Sequence, residues 1–326
     1  MAIKKNSYTF VLSKEQQETL KTLLSMGNYK RKVVPHTIIA VEAEECVVNL
    51  YTSGKCLVQG SGAEDFVLFF LEPTVLQSAT VGYEDILNPE RVSPHMGIDE
   101  SGKGDFFGPL VAAAAYVDPD LAQAMQELGV KDCKQMTDKA VFFVGGKLRQ
   151  LLTPKRYTLV SIGPESYNRL YFKMRNVNAI LAWAHARCIE NVLDTMPGCP
   201  RAVADQFGAK QVIERALMKK GRKVTLEQRH KAESDIAVAA ASVLAREAFL
   251  RSLAKLSETY GVALPKGASD QVKIAAIDLV AKSGPEYLMK VAKCHFRTAD
   301  QVLVSCGYTR RALGPDGQIV SRQEND

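Results

Sequence analysis

The stretch from His95 to Asp118, HMGIDESGKGDFFGPLVAAAAYVD, constrains the fold more than any other part of the chain. HMGIDES reads as a strand and FGPLVAAAAYVD as a second, long and apolar one, with glycines between them that suggest a hairpin turn. The turn nearly spells a nucleotide-triphosphate loop, in which Gly, four residues, Gly and Lys are followed by Ser or Thr. Gly97, Gly102 and Lys103 fit that pattern, but Gly104 stands where the hydroxyl belongs. Asp99 and Glu100 lie inside the would-be cradle and would repel the phosphates it should hold. A triphosphatase is therefore disfavoured.

Around this hairpin the chain alternates. Thr137 and Asp138 open a helix that ends before Pro154, and RYTLVSIG is a third strand. Asn176 to Thr195 is a long helix whose stripe of Val177, Ile180, Leu181, Ala184, Cys188 and Val192 has helical spacing and reads as core. RAVADQF is a fourth strand, residues 211–220 a helix, KVTLEQR a fifth strand and Asp235 to Tyr260 a long helix, with further helices after Asp270 and Pro285. A hairpin followed by helices alternating with three more strands is a mixed α/β sheet. Upstream, residues 7–80 form a small unit of their own. Ser13 caps the amphipathic run KEQQETLKTLLSM, with Glu15 in its first turn. Three β-rich runs follow (VVPHTIIAVEA, CVVNLYTS and CLVQGSG), then GAEDFVLFFLEPTVL as a second helix, giving a curved sheet backed by helices. The basic run Tyr29-Lys30-Arg31-Lys32 reads as a solvated turn or as a phosphate contact. Residues 81–94 lack periodicity, carry two prolines and read as a linker.

Charge is mildly informative. The net charge is +6, and residues 1–80 hold eight basic and eight acidic side chains, so the whole surplus falls in 81–326. Such a body allows a polyanionic partner without demanding one. The seven cysteines are scattered with no CxxC pair, which argues for a reducing compartment and against a disulfide framework or a zinc site. MAIKKNSYTF lacks the apolar core of a secretion signal, and no run approaches the ~18 apolar residues of a membrane span. A cytoplasmic protein is expected.

Acids gather at the strand ends. Asp99 and Glu100 close the first strand, Asp205 closes the fourth, and Glu233 and Asp235 follow the fifth. Carboxylates that converge repel one another, and a divalent cation resolves the conflict: magnesium takes oxygen ligands, few from the protein, with water and substrate phosphates completing the shell. Two such ions about 4 Å apart can clamp the attacking and leaving oxygens of a phosphodiester. Each acid alone also reads as a solvated loop residue, and Asp235 as a charge favouring a helix dipole behind Ser234 as cap. The turn of Gly102, Lys103 and Gly104 likewise has two readings: a plain hairpin turn, or a bare backbone that can press on a ribose and bond its 2′-hydroxyl.

GIDESGKGDFFGPLVAAAAYV closely resembles the first motif of the type 2 ribonucleases H, and lysine between the glycines resembles ribonuclease HIII rather than ribonuclease HII. ADQF around Asp205, KAESDIAVAAASVLAR from Lys231, LPKGAS from Leu264 and KCHFRT from Lys293 match in order, and the N-terminal unit resembles the family's TATA-binding-protein-like domain. The resemblance implies an α/β fold, an RNase H-like mixed sheet with flanking helices, preceded by a small α+β domain. It implies three segments: a substrate-binding domain over 1–80, a linker over 81–94 and a catalytic domain over 95–326. It further implies an endonuclease that cuts the RNA strand of RNA–DNA hybrids with Mg2+ or Mn2+ and leaves 3′-hydroxyl and 5′-phosphate ends. Asp99, Glu100 and Asp205 then match metal ligands and Gly102, Lys103 and Gly104 the ribose-reading turn. Glu233 matches the fourth acid after a one-residue gap, with Asp235 as rival. A monomer that needs a run of ribonucleotides is expected. The alternatives are a ribonuclease HII-like activity at single embedded ribonucleotides and a non-catalytic hybrid-binding protein. Ser242 with Arg246 read as a phosphate contact or an ordinary helix surface, and Lys293 with His295 and Arg297 as a DNA-strand contact or a solvated helix end; His295 is not needed as a general base.

Overall fold

A computed structural model describes residues 6–77, 92–205, 213, 216–217, 221–229 and 232–320, without the side chains of Gln135 and Glu233. The chain divides into two compact units, Met1–Arg91 and Val92–Asp326. Most of the expected linker and most of the expected helix over 211–220 lie outside the described residues.

The first unit contains β1 (Ser7–Val11), α1 (Lys14–Met26), β2 (Lys30–Arg31), β3 (Thr37–Ala43), β4 (Cys46–Tyr51) and β5 (Lys55–Gln59). It closes with α2 (Ala63–Phe66), which continues as a π-helix over Val67–Leu76. Ser13 and Gln16 form the reciprocal capping box that starts α1. The sheet is antiparallel in the order β1-β5-β4-β3-β2, so two strands join the three that the sequence suggests. Leu20 and Leu24 of α1 and Val67 and Leu71 of the π-helix cover one sheet face, packing on Val41, Val48 and Val58. The basic run is exposed, but it includes an edge strand where the sequence suggests a turn. Lys30 and Arg31 form the edge strand, Lys30 and Lys32 lie 3.9 and 3.3 Å from Glu42, and Tyr29 meets Phe66 and Phe70 edge-on.

The second unit is built on β6 (His95–Ser101), β7 (Leu110–Val117), β8 (Tyr157–Ile162), β9 (Arg201–Asp205) and β10 (Thr225–Arg229). Their order is β10-β9-β6-β7-β8, antiparallel at the β6–β7 hairpin and at β7–β8, parallel at β6–β9 and β9–β10. All eight residues of β7 are buried, so both faces of the sheet are covered there. The helices are α3 (Pro119–Glu127), α4 (Asp138–Arg156), α5 (Pro164–Met174), α6 (Val177–Thr195), α7 (Ile236–Tyr260), α8 (Asp270–Ser283), α9 (Leu288–Val291) and α10 (Arg297–Ser305). Helices α3, α5 and α10 add to those the sequence predicts. The sequence predicts that α4 ends before Pro154, and a kink does fall there: Thr153 has φ 54° within the helical run. Helix α7 packs on β6 and β7, and α6 on β7 and β8. Gly97 lets α7 sit directly on β6, since a Cβ there would stand 2.1 Å from the Ala237 carbonyl carbon and the Val238 nitrogen. Among the described residues no helix is long and apolar enough to cross a membrane.

Candidate active site

The parallel pairing of β6 with β9 sets the site. Ile98 stands beside Ala204, both fully buried, and the next residue on each strand is an acid, Asp99 and Asp205. Neighbouring strands lie ~4.8 Å apart, so the register delivers two carboxylates to one place. Asp99, Glu100 and Asp205 line a cavity of about 720 Å³, with Gly102, Lys103 and Gly104 on the same wall. Among the described residues no three histidine, cysteine or carboxylate side chains already form a cage for a metal ion.

The two acids of β6 meet different surroundings because successive side chains on a strand point to opposite faces. Asp99 accepts the Glu100 N–H at 2.8 Å, and Ser242 on α7 donates its hydroxyl to Cys133 Sγ at 3.1 Å. Burial, then the neighbouring Glu100 charge, pushes its carboxyl up to about 7. Glu100 accepts from His185 Nε2 of α6 at 2.9 Å. Burial works to raise its pKa, but the His185 contact, backed by Lys103 and Lys134, holds it below the ordinary value.

Asp235 belongs elsewhere. It is 4 % exposed, and its carboxylate accepts the Ala237 and Val238 N–H groups at 2.9 and 3.3 Å as the N-cap of α7. Buried His95 holds the same carboxylate at 2.9 Å. The cap is therefore Asp235 and not Ser234. The Glu233 side chain lies outside the described residues.

The turn is built from two kinds of glycine. Gly102 has φ +93°, and a Cβ on it would stand 2.2 Å from the Pro109 carbonyl oxygen, so the fold requires glycine. A Cβ on Gly104 would meet nothing within 4 Å. The missing side chain leaves open space beside the exposed Lys103, a space the fold does not use. Distant segments hold the turn in place. Gly267 donates its N–H to Asp105 at 2.7 Å and accepts from the Phe106 N–H at 2.8 Å. Lys293 donates its N–H to the Phe106 carbonyl, and its Nζ reaches the carbonyls of Phe107, Gly108 and Pro109 at 3.2, 2.7 and 3.4 Å.

That placement corrects the expectation for Lys293 and His295. Both are buried, Lys293 completely, so neither is a solvated helix end nor a contact open to a nucleic-acid strand; only Arg297 is exposed. Burial pushes Lys293 down to about 7, and burial together with Lys293 and Arg310 pushes His295 down to about 3. His295 packs among Tyr167, Tyr171 and Phe296. Ser242 and Arg246 also part company. Ser242 is buried with its hydroxyl on Cys133 Sγ at 3.1 Å, whereas Arg246 lines the cavity 3.7 Å from Asp138, which also takes Lys266 at 2.5 Å. His185 and Asp138 went unassigned from the sequence. The signal for His185 was its position on the buried stripe of α6, four residues after Leu181, where a polar side chain needs a partner.

Residues 96–299 match the family Ribonuclease HII, and residues 8–81 match the Domain of unknown function (DUF3378). The chain is 39% identical to the ribonuclease HIII of Protochlamydia amoebophila over 291 residues, 89% of this chain and 94% of that protein. It is 38% identical to the ribonuclease HIII of Chlamydia pneumoniae over 90% of this chain and 97% of that one. The solved structure of Bst-RNase HIII in complex with Mn2+ superposes with TM-score 0.64 at 28% identity, covering 92% of this chain and 98% of that one. The family match and these relatives place the chain among the ribonucleases H, endonucleases that hydrolyse phosphodiester bonds. Within that class the chain belongs to the ribonuclease HIII family.

Proposed function

We propose that the protein cuts the RNA strand of RNA–DNA hybrids with the help of two divalent ions and leaves 3′-hydroxyl and 5′-phosphate ends. The carrying observation is the convergence of Asp99 and Asp205 from adjacent parallel strands into one cavity beside the Gly102–Gly104 turn. The donor set fits Mg2+ or Mn2+: hard carboxylate oxygens, too few to fill a shell, with Asp99 pushed up to about 7 by burial first and the Glu100 charge second, a cost that a bound cation would relieve. The Mn2+ complex of Bst-RNase HIII supports the same choice. When bound, the ions supply an activated water and stabilise the departing 3′ oxygen.

Asp99, Glu100 and Asp205 would hold the ions, with Glu233 as fourth acid, because Asp235 is already committed to its helix cap and His95. The open side of Gly104 receives the ribose edge, and backbone amides of the turn bond the 2′-hydroxyl. Lys103, Lys134, Arg246 and Lys266 line the cavity and attract the phosphates. In this reading residues 1–80 grip the hybrid by shape and backbone and residues 95–326 cut it. The protein acts as a cytoplasmic monomer, and its free cysteines support that location.

The test is a cleavage assay comparing a long hybrid with a duplex holding one ribonucleotide, in Mg2+ and then Mn2+. The hybrid should be cut and the single ribonucleotide resist; Asp99→Asn should abolish cutting and leave hybrid binding intact. Undiminished cutting by Asp99→Asn ends the metal reading, and efficient cutting at a lone ribonucleotide moves the specificity towards ribonuclease HII.

A further inference from the structure

Glu100 reaches the cavity from the sheet face opposite Asp99, and α6 meets it there. His185 is 1 % exposed, and its Nε2 lies 2.9 Å from Glu100 Oε2. A carboxylate only accepts, so Nε2 carries the proton and donates it. The helix turns around His185 are packed shut: Leu181, Ala182, Ala184, Ala186, Cys188 and Ile189 are all buried. The imidazole therefore sits on a rigid element and fixes the carboxylate it touches, while Glu100 remains part of the cavity wall.

We propose that His185 is a positioning residue that makes Glu100 a one-oxygen ligand and thereby selects small octahedral cations over calcium. This rests on the reading of Glu100 as a metal ligand. With Oε2 committed to the imidazole, Glu100 offers an ion one oxygen. Mg2+ and Mn2+ accept single oxygens at the corners of a compact shell, whereas Ca2+ takes 6–8 oxygens at 2.3–2.6 Å and often grips a carboxylate with both. A hydrogen bond to a ligand's other atom typically accounts for ~10–100-fold in metal affinity. His185 also removes the rotamer freedom that Glu100 would lose on binding an ion.

The experiment measures binding of Mn2+ and of Ca2+ to the full-length protein without nucleic acid, by titration calorimetry, for wild type, His185→Gln, His185→Leu and His185→Asn. Glutamine can still donate to Glu100; leucine cannot, and asparagine is too short. The leucine variant should lose ~10-fold or more in Mn2+ affinity while Ca2+ affinity holds or rises, and the glutamine variant should stay within about threefold of wild type. Should leucine prevent a cooperative thermal melt, the asparagine variant carries the same expectation. Equal loss of both ions, or Mn2+ affinity unchanged in a folded leucine or asparagine variant, overturns the role of His185. Absence of Mn2+ binding to wild type instead overturns the metal reading on which it rests.

Discussion

Replacing Asp99 by asparagine should make the metal-free protein more stable while removing its activity. The carboxyl is shifted from 3.8 to about 7, burial first and the Glu100 charge second. At ~1.4 kcal/mol per unit the gap is ~4 kcal/mol, and the solvent contact that Asp99 keeps at the cavity wall reduces it to ~2–4 kcal/mol. Between about pH 4 and 7 the folded chain binds a proton that the unfolded chain has released, so stability falls as pH rises through that window. Above pH 7 the whole penalty is present. Asparagine is neutral throughout and can still accept the Glu100 N–H that Asp99 accepts at 2.8 Å. Urea melts in excess chelator should therefore coincide for wild type and Asp99→Asn near pH 4 and separate by ~2–4 kcal/mol in favour of the variant at pH 8. Adding Mg2+ or Mn2+ should then raise wild type and leave the variant unmoved. A variant no more stable than wild type at pH 8 in chelator would refute the claim that this carboxylate is held in the fold at a cost.

The two glycines of the turn should separate fold from recognition. Gly104→Ala should leave the melting temperature unchanged and weaken hybrid cleavage, while Gly102→Ala should cost ~1–3 kcal/mol or more in chemical denaturation. The two downstream acids should separate in the same way: Glu233→Gln loses cleavage at full stability, whereas Asp235→Ala loses ~3–5 kcal/mol by stranding buried His95 and uncapping α7. Burial, with Lys293 and Arg310, holds His295 at about 3, so the unfolded chain takes up its proton first and stability is lost as pH falls below about 6.5. His295→Phe should recover ~2–3 kcal/mol at pH 4 in acid denaturation curves. Removing residues 1–80 should weaken hybrid affinity in a binding titration more than it slows turnover at saturating hybrid.

The hairpin, the strands alternating with helices and the strand-end acids were legible because each is written locally, as an apolar run closed by a charged or glycine-rich break. The acids could also be read as a site because several strands end the same way. Short elements were not legible. Lys30–Arg31 is a strand only because β3 stands beside it, and α3 and α5 are brief, although Asp118-Pro119 and Gly163-Pro164 carry the helix-start signature of proline at the first helical position. Charged residues misled most. Lys293 and His295 look solvent-exposed in a string of letters, and their partners are carbonyls and rings contributed by distant segments. His185 was hidden the same way, since nothing beside it names Glu100 as its partner.

Lys293 bonds the Phe107 carbonyl, just past the glycine turn, across 186 positions of chain. A contact that spans so much of a domain forms only after the intervening chain has been drawn together. The acids can be carried by strands that pair earlier, but the segment after the glycine turn lacks half of its backing, with only Gly267 on it, until the KCHF segment arrives. A chain that stopped short of Lys293 would own the strand-end carboxylates and lack the cation that gathers the carbonyls of Phe107, Gly108 and Pro109 beside them.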